Sequence, residues 1–68
     1  MTVQILVNGQ ARAVAAGSTV DQVVAAITGL ESGVAVAVNG EVVPRRGWPG
    51  TPVAEGDQIE IVTAVQGG

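Results

Sequence analysis

Asn-Gly occurs twice in this chain, at Asn8-Gly9 and Asn39-Gly40, and a valine-containing run of strand character leads into each pair. Both central positions of a type I′ turn need positive φ, which glycine adopts freely and asparagine more readily than other side chains. The two pairs therefore predict two β-hairpins. The chain has 68 residues, a length that holds one domain. Both hairpins must then share a single core.

The flanking segments support this. In VQILV, Val3, Ile5 and Val7 fall on one face at period two. The return strand runs from about Gln10 to Ala16, with poor alternation. In VAVAV, Val34, Val36 and Val38 share one face and Ala35 and Ala37 the other, so the run is apolar on both, as in an interior strand. Asn39-Gly40 turns it into a short strand from Glu41 to Val43. Pro44 lacks an N–H and cannot continue a central strand. Residues 45–57, RRGWPGTPVAEGD, read as a loop punctuated by Pro and Gly. A last strand is expected from Gln58 to Val65, with Ile59 and Ile61 on one face.

Between the hairpins the period changes. Thr19 and Gln22 have the spacing of a capping box. Val20, Val23, Val24 and Ile27 follow at i, i+3, i+4 and i+7, one apolar stripe. The spacing predicts a helix over 20–28, closed by Gly29 at C′ and Leu30 at C″. So short a helix must dock on a sheet to persist. The order ββ-α-ββ-β gives an α+β layer architecture, a β-grasp with a mixed sheet of four to five strands and one main helix packed on one face.

Composition excludes several functions. The chain has no Cys, His, Lys or Tyr. Any nucleophile or general base would have to be a carboxylate, which argues against a self-sufficient enzyme. No side-chain metal set beyond carboxylates is available. Three Arg and one Trp against six Asp and Glu do not make a nucleic-acid surface. The absence of Cys, of a basic leader and of a long apolar run points to a cytoplasmic protein without a membrane segment.

The last residues are Ala64-Val65-Gln66-Gly67-Gly68. Two glycines lose much entropy on ordering and contribute nothing to packing. One reading is a frayed terminus. The other makes the tail the working part: a domain over 1–65 and a flexible Gly-Gly tail over 66–68. Without Cβ atoms, Gly67 and Gly68 can thread a narrow channel in a partner, and the ionised Gly68 carboxylate can attack the α-phosphate of ATP.

With those features in view, the chain resembles the ubiquitin-like β-grasp sulfur carriers, and among them the ThiS-like carriers of thiamin biosynthesis. The matching stretches are VNGQ at 7–10, GSTVDQVV at 17–24, VAVAVNGEVVPRRGW at 34–48 and EGDQIEIVTAVQGG at 55–68. The resemblance implies that an E1-like adenylating enzyme activates Gly68 with ATP. A sulfur donor, such as one fed by a cysteine desulfurase, then makes the thiocarboxylate, and thiazole synthase takes the sulfur. ATP and magnesium would be bound by the partner, and this chain would bind no cofactor itself. A free monomer is expected. The alternatives are the small subunit of molybdopterin synthase, a cysteine-biosynthesis sulfur carrier, a protein-conjugating modifier and a non-catalytic β-grasp binding module.

Gly68 is thus the expected reactive residue and Gly67 its flexible neighbour. Leu6, Val62 and Ala64 lie opposite the core-facing positions and, with Val65, Gln66 and Trp48, form the expected partner-binding set. Trp48 has a packing alternative, covering the loop or a sheet edge. Arg45 and Arg46, beside Trp48, are candidates for packing or docking but not catalysis. Glu55, Asp57 and Glu60 could steer a basic partner, although Glu55-Gly56-Asp57 also reads as a solvated turn.

Overall fold

The computed structural model describes residues 1–29 and 33–63. Its elements are β1 (Thr2–Val7), β2 (Gln10–Ala15), α1 (Val20–Ile27), β3 (Val34–Val38), β4 (Glu41–Val43), a 3-10 helix (Arg45–Gly50) and β5 (Gln58–Thr63). Five strands form one sheet in the order β2-β1-β5-β3-β4. The last strand in sequence is therefore the middle strand in space, parallel to β1 and antiparallel to β3.

Both Asn-Gly turns form as the sequence predicts. Asn8 and Asn39 have φ of 51°, and Gly9 and Gly40 have φ of 83° and 84°. The left-handed backbone matches strand twist and closes each hairpin in two residues. The helix begins at Thr19 as N-cap, and the Thr19 N–H donates to Gln22 Oε1 at 3.0 Å. Its end differs from the expectation. Gly29 does not take positive φ, and the helix stops at Ile27 with Thr28 as an extended C-cap. A β-branched residue favours extended backbone, so Thr28 turns the chain without a left-handed glycine. Leu30 lies outside the described residues.

The core sits between α1 and one sheet face. Ile5, Val7, Val36, Ile59 and Ile61 from the sheet meet Val20, Val23 and Val24 from the helix. Burying each such side chain contributes about 1.5–3 kcal/mol. Trp48 and Val53 complete the core.

The segment 45–57 is more ordered than a loop reading allows. The Arg45–Gly50 turn is a 3-10 helix, and Trp48 Nε1 donates to the Val43 carbonyl at 2.9 Å. Beyond it, the Val20 N–H donates to Thr51 O at 2.9 Å and the Val53 N–H to Ser18 O at 2.8 Å. These bonds stitch the segment to the helix start and carry Val53 into the core. Pro and Gly mark the turns of this segment but do not reveal that it is pinned at both ends.

Candidate functional site

Alternation divides each strand between two faces. Register places Leu6 beside Ala11 of β2 and Gln58 of β5. Val62 pairs with Ala35, Glu60 with Ala37, and Ala37 with Val42. All these side chains point away from α1. The open face therefore has a floor of alanines, with Leu6, Val42 and Val62 as its large apolar side chains. They are 37%, 74% and 63% exposed. Ala35, Val36, Ala37, Val42, Glu60 and Val62 line a shallow depression of about 160 Å³. Among the described strand residues, Glu60 is the one ionisable group on this face.

Val42 and the alanine floor were not singled out from sequence. The signal was present, because Val42 alternates out of phase with Val43 in a three-residue strand next to VAVAV.

A larger cleft of about 350 Å³ lies on the helix side, between α1 and the 3-10 helix, lined in part by Asp21, Val24, Arg45 and Trp48. Trp48 is 5% exposed, and the Arg45 guanidinium lies over its ring at 5.3 Å from the centroid. The structure thus corrects the expectation of Trp48 as a partner-binding side chain. Its indole is spent on the core and on the Val43 carbonyl, which is the packing alternative. Arg45 and Arg46 remain exposed beside it.

The Glu55-Gly56-Asp57 turn is also pinned. Glu55 Oε1 accepts from the Gln4 N–H at 2.9 Å, and the Gly56 N–H donates to Gln4 O at 2.7 Å. Asp57 accepts from Asn39 Nδ2 at 3.1 Å and from the Ala54 N–H at 2.8 Å. These carboxylates have local structural tasks, whereas Glu60 makes no such clip among the described residues.

Asn8 and Asn39 do more than turn the chain. The Asn8 N–H donates to Ile59 O at 2.9 Å, Asn8 Oδ1 accepts from the Ile61 N–H at 2.9 Å, and Asn8 Nδ2 donates to Ile61 O at 3.1 Å. The side-chain amide imitates one more strand residue and extends the β1–β5 ladder. On the other side, the Asn39 N–H donates to Gln58 O at 2.7 Å and Asn39 Oδ1 accepts from the Gln58 N–H at 3.0 Å. Both hairpins thereby hold β5, the strand that leads to the C-terminal residues. Sequence signals the turns and is silent on these clamps.

The expected reactive residues Gly67 and Gly68, with Ala64, Val65 and Gln66 of the expected contact set, lie outside the described residues. They follow Thr63, the end of β5. Leu6 and Val62 do share the open face.

The sequence pattern of the ThiS family matches residues 5–68. The sulfur carrier protein ThiS of Escherichia coli (strain K12) is 40% identical over 65 residues, spanning 96% of this chain and 98% of that one. The crystal structure of a thiamine biosynthesis protein (ThiS) from Geobacter metallireducens superposes with a TM-score of 0.80 at 30% identity, covering 97% of this chain and all of that one. The β-grasp expectation agrees with that likeness and with the five-stranded sheet under one main helix.

Proposed function

The chain belongs to the ThiS family, and from that premise we propose that it is a small sulfur carrier of thiamin biosynthesis whose reactive group is the Gly68 carboxylate. The observation that supports this reading is that the Gly-Gly ending follows in sequence from β5, a strand clamped from both sides. A rigid strand fixes where the tail starts. A tail that ends in two residues without Cβ atoms can then enter a partner's active site.

An E1-like adenylating enzyme supplies ATP and magnesium. A Gly68 carboxylate oxygen attacks the α-phosphate and pyrophosphate leaves. A persulfide sulfur from a desulfurase-fed donor next attacks the acyl carbon and AMP leaves. A thiol then cleaves the S–S bond, releasing the thiocarboxylate. Its sulfur is nucleophilic and is delivered to thiazole synthase without free sulfide. The folded domain serves as the handle in each step, acting in the cytoplasm as a co-substrate. Leu6 and Val62 on the open face contact the partners, because an exposed apolar surface on the sheet whose last strand leads to the reactive residue offers area to bury.

Intact mass tests this. The purified chain, ATP, the adenylating enzyme and a sulfur donor should yield a product heavier by the difference between sulfur and oxygen. A chain lacking Gly67 and Gly68 should yield none. Loss of the label on adding thiazole synthase assigns the acceptor, and loss only with molybdopterin synthase would overturn it. A full-length chain that never forms an adenylate or thiocarboxylate would overturn the carrier reading itself.

A further inference from the structure

The β1–β5 ladder is short, pairing Leu6 with Gln58 and Val7 with Ile59. Hydrogen bonds along β5 alternate strictly between its two edges. Asp57 O and Ile59 O accept from the Leu6 and Asn8 N–H groups, and Ile61 bonds to the Asn8 amide, so odd-numbered residues face the β1 side. Gln58 exchanges bonds with Asn39, so even-numbered residues face β3 and β4. Thr63 is the next odd residue. In register it lies across from Val34, but its N–H and C=O point to the β1 side, beyond the last rung that Asn8 supplies. Among the described residues no backbone or side chain bonds to them there. Thr63 is exposed. The edge of a middle strand is thus open at its last residue, and five residues, 64–68, continue the chain from that point.

We infer that this free edge of β5 is a docking strip for an extended backbone segment of the adenylating partner, which adds a short strand beside Thr63 where Asn8 ends the intramolecular ladder. The inference rests on the carrier reading above. Five extended residues span at most about 17 Å. An enzyme that reacts at Gly68 must therefore bring its own chain close to Thr63. Unpaired N–H and C=O groups that lose water in such a complex must find partners or cost binding. A partner strand satisfies them by the main-chain pairing through which extended segments add to sheet edges. Asn8 sets the register, because its amide occupies the preceding rung.

Thr63→Pro tests the strip with little cost to the fold. It removes an N–H that faces away from β3, so no rung of the β3–β5 ladder is lost. It also leaves Val62 in the extended backbone that precedes proline readily. Thr63→Val keeps the N–H and is the control. Thr63→Pro should bind the adenylating enzyme about tenfold more weakly, as loss of one hydrogen bond in a desolvated site predicts. Its thermal midpoint should stay close to that of the wild type, and Thr63→Val should bind normally. In the wild type, amide exchange at Thr63 should slow when the enzyme binds. Unchanged affinity of Thr63→Pro, or equal exchange at Thr63 in free and bound carrier, would overturn the strip. If Thr63→Pro fails to fold, exchange in the wild type decides alone. Wild-type adenylation is measured alongside. Its absence would sink the carrier reading, whereas wild-type adenylation with an indifferent Thr63→Pro sinks only the strip.

Discussion

On β5, Ile59 and Ile61 turn toward α1 and are 1% and 8% exposed, whereas Glu60 and Val62 turn the other way and are left to solvent. The two pairs share one backbone and one set of neighbouring strands. What separates them is the direction of the Cβ and the presence of a helix on one side only. The covered side holds the fold together. The open side keeps an alanine floor with three large apolar side chains and one carboxylate, a surface on which little folding energy depends. Changes on one side should therefore act on stability and on the other on partner contacts.

Ile59→Ala should break the comparison most severely. It opens a cavity in a closed core and should cost about 2–5 kcal/mol, a large share of a small domain's stability, read as a shift in the denaturant midpoint. The clamps come next. Asn8→Gly keeps the positive φ and removes only the side-chain amide, so it should cost about 1–3 kcal/mol, because the Ile61 N–H and C=O lose part-buried partners. Asn39→Gly removes bonds that are exposed, and about 1 kcal/mol or less is expected. The order of these two in urea melts tests whether clamping matters more on the side where the ladder is short. Val62→Asp should have the smallest effect on folding, within about 0.5 kcal/mol. It should nonetheless lower kcat/KM for adenylation at least about fivefold by placing a charge in an apolar contact. A Val62→Asp variant that unfolds, or one that is adenylated as the wild type is, would erase the distinction between the faces.

The hairpins, the helix start and the division of Ile59 and Ile61 from Val62 were legible in the sequence because each follows from local geometry. Asn-Gly specifies a turn through its own φ values, Thr19 and Gln22 meet across one helical turn, and period two assigns faces. Three features were not legible. Thr28 ends the helix in extended backbone, although the next residue, Gly29, reads as an equally good local stop. Trp48 reads either as a packing or as a docking aromatic in a Pro/Gly segment, and only the Val43 carbonyl and the core decide for packing. The clamping role of Asn8 needs a partner more than fifty residues away.

The sequence by itself determined the elements, the α+β class and, through the Gly-Gly ending and the quoted motifs, the family. Those signals are local or compositional, and they survive without knowledge of distant neighbours. Only the tertiary structure decided that the last strand becomes the middle strand, that its edges are unequally filled, and that Val42 joins Leu6 and Val62 on one open face. Each of these depends on which strands lie side by side. Pairing between segments distant in the chain is set by burying the common core, not by any residue's own preference.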